Sequence, residues 1–383
     1  MQNSPQWANA RNILAVRLDN LGDVLMTGPA LTAVKEGAAG ARLTLLASKA
    51  GAAAAAHVPA VDDTIVYAAP WTKQPRNAGH HDTDRRLIDR LAQAGFDAAI
   101  IFTVCTQSAL PAALLCRLAG IPLRLAYSRE NPYELLTDWI ADTEACAAGM
   151  RHEVSRQLDL VRSVGFRPRR DHLVFRLNPV ETASGMRKFK QAGGEVDAPY
   201  IVVHPGASAM SRRYPAERFG AAAQAIAEAT GCQVVYTGGR DERDVVARAM
   251  SAMRRPSISL AGQLDLGELG ALIAQAGLVL CNNTGPAHIS AAVGTPVVVL
   301  YALTNPQHTP WKSPARVLSH DVECRNCLKS ICPEGHHRCL EGVTVHAVVQ
   351  AALELLDASI TKPERTPVAL ASWPYTEQVR LTG

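Results

Sequence analysis

Several things are missing from this 383-residue sequence, and each absence narrows what it encodes. It has no long run of Lys or Arg and a net charge of only +4, which argues against a nucleic-acid binder. So mild a basic excess would suit acidic substrates or an anionic membrane face without requiring either. Charged residues make up 19% and hydrophobic residues 48%, the balance of a folded α/β protein and not of a disordered one. Even the most apolar window, Leu278–Leu300, is interrupted by Asn, Gly, His and Pro, so no transmembrane span is expected. The opening MQNSPQWANARN is polar and lacks the apolar core of a signal peptide. Neither G-x-G-x-x-G nor a Walker sequence occurs, which counts against a nicotinamide dehydrogenase or a P-loop enzyme. Nine cysteines are an odd number for a disulfide framework, and Cys232 and Cys281 fall in or beside predicted buried strands. A reduced, cytoplasmic setting is the expectation.

What is present is an alternation of short apolar strands and helical stretches. A strand over Asn12–Leu18 leads through a tight Asn20-Leu21-Gly22 turn into a helix over Asp23–Lys35. Further strands at Leu43–Ala47, Thr64–Tyr67, Ala98–Phe102 and Leu123–Tyr127 alternate with helices at Asp84–Ala94 and Ser108–Ala119. This predicts a mostly parallel, doubly wound sheet. The pattern restarts with strand Tyr200–His204 and a helix that Pro215 opens and Thr230 closes. Strands Gln233–Thr237, Leu278–Cys281 and Pro296–Leu300 follow, with helices at Asp241–Met253, Leu266–Ala276 and Pro286–Val293. Leu177–Ala198, rich in Gly, Pro and polar residues, reads as the seam; Thr344–Leu356 reads as a closing helix. The expected organisation is two Rossmann-like domains, 1–178 and 179–358, with a tail over 359–383. Two such sheets point the carboxyl ends of their strands, and so their crevices, toward a shared cleft.

Three strand-end loops carry chemistry. The first is Arg17-Leu18-Asp19-Asn20-Leu21-Gly22-Asp23, where Gly22 can take turn dihedrals closed to other residues. Asp23 sits in the first turn of a helix, where backbone N–H groups and the dipole favour a carboxylate. A plain helix cap would explain Asp23 alone, but two carboxylates and an arginine at a sheet's carboxyl edge suggest more. The second loop, His204-Pro205-Gly206-Ala207-Ser208 leading to Ser211-Arg212-Arg213-Tyr214-Pro215, lets backbone amides approach an anion and offers arginine to a diphosphate. The third, Asn282-Asn283-Thr284-Gly285-Pro286-Ala287-His288, delivers amide, hydroxyl and backbone donors to a helix start, with an imidazole one turn later.

The stretches RLDNLGDVLMTGPAL, HPGAS…RRYPAERF, TGGRDE and NNTGPAHISAAVGTPVV, in that order and spacing, resemble the ADP-heptose:lipopolysaccharide heptosyltransferases, family nine of the glycosyltransferases. The resemblance runs from about Asn12 to about Leu356. It implies a GT-B fold, an N-terminal acceptor domain, a C-terminal donor domain, and inversion at the anomeric carbon with no metal and no cofactor. It implies that Asp23 is the general base and that Arg212 contacts the donor diphosphate. Thr284, Gly285 and His288 would hold donor phosphate and sugar together with Asn283. Glu242 would sit near the ribose, with Asp241 as its rival, and Ser208 and Leu264 join the donor set. Arg17, Asp19, Asn20 and Gly22 form the acceptor-side loop. The implied partners are an ADP-sugar donor and a lipopolysaccharide-core or other glycan acceptor, with peripheral contact at the inner membrane. Many family members carry aspartate where this chain has Asn283, a departure that could change sugar preference or turnover.

Other signals fit less well. Asp82-Thr83-Asp84 matches the Asp-x-Asp of metal-dependent glycosyltransferases, but it precedes an amphipathic helix and reads as a cap. Gly206-Ala207-Ser208 begins like a nucleophile elbow, yet Met210 replaces the second glycine. Cys324, Cys327, Cys332 and Cys339, with His336 and His337 among them, are a candidate zinc or iron ligand set, with reduced structural cysteines as the plainer reading. Two further functions stay open: a nucleotide-sugar epimerase or hydrolase on the same scaffold, and a sugar-nucleotide binder without activity.

Overall fold

The computed structural model describes residues 5–72, 81–144 and 150–360. Strands rich in Val, Ile, Leu and Ala, apolar on both faces, demand helices above and below, which favours parallel pairing. The first half contributes β1 (Asn12–Arg17), β2 (Arg42–Ala47), β3 (Asp63–Val66), β4 (Ala98–Ile101), β5 (Leu123–Ser128) and β6 (Asp138–Ala141). They pair in parallel in the order β3-β2-β1-β4-β5-β6. The second half repeats the scheme with β7 (Tyr200–His204), β8 (Gln233–Tyr236), β9 (Ile258–Ser259), β10 (Leu278–Asn282), β11 (Val297–Leu300) and β12 (Ala315–Leu318). Their order, β12-β11-β10-β7-β8-β9, is the same topology. Strands β7, β10 and β11 are buried at every position.

The strand order reverses between β1 and β4 in one half and between β7 and β10 in the other, so each sheet opens a crevice at that point. The three loops singled out in the sequence follow β1, β7 and β10.

The halves are held by apolar packing as well as by the chain. One buried cluster runs from Trp7, Ile13 and Leu43 through Phe166, Phe175 and Phe189 to Tyr200, Val202 and Tyr301. The stretch expected to be a seam holds a 13-residue helix, Pro179–Gln191, which packs on the helix Leu266–Gln275. Its start is conventional: the Asn178 side chain accepts from Val180 N at 2.9 Å and proline occupies the first position. Strands β6 and β12 and the helix Glu153–Arg162 were not expected. The two strands are only four residues long, too short to stand out, whereas the helix does place Val154, Leu158 and Val161 on one buried face, a helical spacing that the sequence carries. The helix expected at Asp241–Met253 begins as a 3₁₀ turn, Arg240–Glu242, before Arg243–Ser251. The tail expected after Ile360 lies outside the described residues. Among those described, no helix is long and apolar enough to cross a membrane.

Phe175 fastens the seam. Its ring stacks on His57 of the first half, centroids 4.1 Å apart and 9° from parallel. On its other side it fills the space left by Gly270 of the second half, where an added Cβ would lie 2.3 Å from the ring. Phe175→Ala should lower stability by about 3–5 kcal/mol in urea unfolding. A loss under about 1 kcal/mol would show that the seam does not depend on it.

Candidate active site

Strand β1 ends on Arg17, whose side chain is fully buried. It sits 3.0 Å from Asp19 Oδ2, 3.3 Å from Asp23 Oδ1 and 2.9 Å from Glu153 Oε1. Burial opposes its charge, but the three carboxylates outweigh that and hold the guanidinium protonated. Asp19 also accepts from Gln107 Nε2 at 2.6 Å, and Ser48 Oγ donates to its backbone oxygen at 2.6 Å. Glu153 accepts from Gln157 Nε2 at 2.6 Å and leaves Oε2 without a partner. Sequence reading missed Glu153, because its helix starts far along the chain from β1 and no local motif marks it.

Asp23 is the third residue of the helix Leu21–Gly37, and its Oδ2 accepts from the backbone N of the capping residue Asn20 at 3.1 Å. Burial alone would raise its pKa. Arg17, then His308, the Asn20 amide and His288, reverse that and hold it below the usual carboxylate range. Asp19 goes the other way: burial, with the charges of Asp23 and Glu153, pushes it up to about 6 despite Arg17 and Gln107.

The halves meet at glycine. A Cβ on Gly22 would lie 2.7 Å from His288 Cδ2, and a Cβ on Gly285 would lie 2.7 Å from Leu21 Cδ2. The start of the helix Leu21–Gly37 therefore touches the start of the helix Gly285–Val293. His288 is buried, leaves Nδ1 unpartnered, and is pushed down to about 3 by burial and by its neighbours His308, His152 and Arg212, against Asp23. It is a neutral imidazole. Asn283 is buried with its amide nitrogen unpartnered, and Thr284 caps the helix without a side-chain hydrogen bond.

Arg212 ends the 3₁₀ turn Met210–Arg212 with its Nε buried and unpartnered. Its charge acts on both His288 and His308, which places it in the crevice. Arg213 is engaged elsewhere, donating from Nε to Ala207 O at 2.7 Å, so it is not a free surface charge. Ser208 is exposed on the same loop. Glu242, and not the exposed Asp241, turns toward this loop: its carboxylate occupies the space above Gly206, where a Cβ would lie 2.1 Å away. It accepts from Gly239 N at 2.8 Å and lies 3.5 Å from His204 Nε2. Burial would raise its pKa, but His204, that amide and Arg213 bring it down to about 2. Leu264 packs at the edge of the main core, and no polar contact ties it to the crevice.

His308, on the loop after β11, is the second residue the sequence reading missed. Its Nε2 is buried without a partner, 3.9 Å from Asp23 Oδ1 and 4.0 Å from Glu153 Oε2.

Two expectations about metals fare differently. Asp84 lies in the first turn of the helix His81–Ala94 and accepts from Tyr67 Oη at 2.6 Å, an interaction within the first half. Cys324, Cys327 and Cys332 are free thiols on one loop and Cys339 is a free thiol in the short helix Arg338–Glu341 that follows, with Cys324 Sγ 3.8 Å from His336 Nε2. Among the described residues no group of three or more His, Cys, Asp or Glu side chains could hold a metal ion, so the candidate zinc or iron ligand set finds no support. What the loop does is mechanical. The carbonyls of Ser330 and Lys329 accept from Ser211 N at 3.0 Å and Ser211 Oγ at 2.8 Å, fixing the turn that carries Arg212.

Two parallel Rossmann sheets with facing switch points, one lined by carboxylates and the other by arginine and helix amides, form a GT-B glycosyltransferase architecture. Residues 84–338 match glycosyltransferase family 9 (heptosyltransferase), and the chain belongs to that family. It is 26% identical over 322 residues to lipopolysaccharide heptosyltransferase 1 of Pseudomonas aeruginosa, covering 84% of this chain and 87% of that one. Lipopolysaccharide heptosyltransferase 2 of Escherichia coli K12 is 26% identical over 281 residues, 71% of this chain and 79% of that one. Among solved structures, a family 9 glycosyltransferase from Veillonella parvula superposes with TM-score 0.77 at 21% identity, covering 91% of this chain and 98% of that one. ADP-heptose lipopolysaccharide heptosyltransferase II of E. coli superposes with TM-score 0.72 at 23% identity, covering 91% and 99%.

The raised Asp19 gives a pH signature. A carboxyl that binds its proton more tightly folded than unfolded loses stability as pH rises between its two pKa values, here from about 4 to about 6. Asp19→Asn removes that loss, so relative to wild type it should gain about 1–3 kcal/mol between pH 4 and pH 7. Urea melts at both pH values test this. A pH-independent difference would mean that Asp19 is not raised.

Proposed function

We propose that this glycosyltransferase moves a heptose, or a closely similar sugar, from an ADP-linked donor to a lipopolysaccharide-core or related glycan. Its sequence relatives carry out transfers of that name, and one observation in the site supports the reading. Asp23 of the first half and Arg212 of the second both act on the same two imidazoles, His288 and His308, so a carboxylate base and a diphosphate anchor would share one crevice. On this reading the first half takes the acceptor and the second the donor. An acceptor carried on the inner membrane would bring the enzyme to that surface.

The proposed reaction is a single inverting displacement. The acceptor hydroxyl attacks the anomeric carbon, Asp23 takes its proton, and the nucleoside diphosphate leaves from the opposite face. A carboxylate held at low pKa is a weak base at rest, so proton transfer accompanies attack instead of preceding it. Arg212 and the amides at Thr284–Gly285 receive the charge that grows on the leaving diphosphate. Fixed donors of this kind could do what a divalent ion does elsewhere. Neutral His288 and the Asn283 amide would supply hydrogen bonds to donor oxygens, and Glu242 would meet the ribose.

The test is to incubate ADP-heptose with and without a lipopolysaccharide-core acceptor, with and without EDTA, and to follow ADP release and product mass. Acceptor-dependent release, a product heavier by one heptose and a rate indifferent to EDTA are expected. Release without acceptor would identify a hydrolase or epimerase instead, and binding without release a sugar-nucleotide binder. A loss in EDTA that magnesium restores would overturn the metal-free mechanism.

Arg212→Ala should cost about 2–4 kcal/mol of transition-state stabilisation, read as the fall in kcat/KM for the donor. Arg213→Ala removes the loop hydrogen bond to Ala207 O and a weak one to Met210 Sδ, and should cost about 1 kcal/mol. A larger loss from Arg213→Ala would move the diphosphate contact away from Arg212.

A further inference from the structure

We propose that His308 is a positioning residue for Asp23: its Nε2–H turns the carboxylate so that one oxygen faces the acceptor hydroxyl. This rests on the reading of Asp23 as the base. His308 comes from the second half and Asp23 from the first, so the contact spans the cleft. At 3.9 Å from Asp23 Oδ1 and 4.0 Å from Glu153 Oε2 the imidazole nitrogen is just beyond hydrogen-bond range. A small rotation of either carboxylate, or a hydroxyl set between them, closes that gap. Among the described residues nothing else satisfies this nitrogen or Glu153 Oε2, and leaving either unsatisfied in a buried site is costly.

The loop decides which nitrogen carries the proton. Thr304 Oγ1 donates to Asn305 Oδ1 at 3.4 Å, which turns the amide nitrogen of Asn305 toward His308 Nδ1 at 3.2 Å. The Nδ1 atom therefore accepts and the proton sits on Nε2, the nitrogen that faces the carboxylates. The ring is also held in place from both halves. His308 N donates to Tyr301 Oη at 3.3 Å, and Tyr301 Oη donates to Asn305 O at 2.6 Å. From the first half, Glu153 N donates to Gln307 O at 3.0 Å, and His152 Nε2 lies 2.9 Å from Thr309 O. The charged and titratable groups around the ring are Asp23, Glu153, Arg17 and His152 of the first half and Arg212 and His288 of the second. Burial, with Arg212 and Arg17, outweighs Asp23 and Glu153 and keeps the imidazole neutral. A neutral ring with a fixed Nε2–H orients a carboxylate and does not replace it as the base.

His308→Phe keeps the bulk and removes the N–H; His308→Gln restores an N–H. The Phe variant should lower kcat about 10–100-fold with the donor KM unchanged within about twofold. The Gln variant should recover to within about fivefold of wild type. In an Asp23→Asn background the same Phe change should cost less than about twofold, because the base it positions is gone. If the Phe variant does not fold, His308→Asn, too short to reach the carboxylates, takes its place with the same expectations. An equal loss in both backgrounds, or a loss that Gln does not relieve, would overturn the positioning role while leaving Asp23 as the base. Near-normal turnover of Asp23→Asn by itself would overturn the base assignment, and the proposal with it.

Discussion

The buried ion cluster around Arg17 is the constraint on which the rest of the site depends. One guanidinium, fully removed from water, faces Asp19, Asp23 and Glu153, and its nitrogens make ion-pair approaches without well-aligned hydrogen bonds. Burying charge in this way is costly unless the partners are close and fixed. The structure meets that condition with three separate segments: the loop after β1, the first turn of the helix that follows it, and the start of the helix Glu153–Arg162. The cluster still carries two more negative charges than positive, and the excess is divided unevenly. Asp23 stays ionised because Arg17, a backbone amide and two imidazoles face it, whereas Asp19 is driven toward its neutral form. Two carboxyls four residues apart thus acquire opposite tendencies from their surroundings, the pattern by which a site separates a base from a proton-holding neighbour.

The parts of this arrangement legible in the sequence are those that local chemistry dictates. Arg17, Asp23, Arg212, Asn283 and His288 lie at strand ends, turns and helix starts whose glycines and prolines are visible within a few residues. The repeat of strand–helix alternation was enough to expect two doubly wound sheets. Glu153 and His308 were not legible, because each is brought to the site by tertiary packing alone. Glu153 joins Arg17 across 136 positions of sequence: Val154, Leu158 and Val161 mark its helix, but nothing local ties that helix to β1, and His308 lies on an irregular loop between β11 and β12. Arg213 shows the converse limit. Its neighbour Arg212 is an identical residue type one position away, and only tertiary contacts tell them apart: Arg213 is tied to the carbonyl of Ala207 while Arg212 keeps a buried, unpartnered Nε. The cysteine spacing suggested ligands, but folding uses that loop to brace the Arg212 turn through two backbone carbonyls, a role no side-chain pattern records.

The two halves contribute charge of opposite sign, and the glycine contacts bring them together. Gly22 against His288, and Gly285 against Leu21, let two helix starts meet at van der Waals distance. Each start carries the partial positive charge of a helix N-terminus. The Asn20 amide at the first start donates to Asp23 Oδ2, whereas the first turn of the helix Gly285–Val293 carries no acidic residue of its own. On the proposed reading, an ADP-sugar would place its diphosphate against Arg212 and the Gly285 helix start, away from the three carboxylates. That diphosphate would offset the Arg212 charge, which now lowers the proton affinity of both His288 and His308. A side chain at position 285 meets only the tip of Leu21, which can swing aside, whereas one at position 22 presses on the ring of His288 and so disturbs the crevice itself.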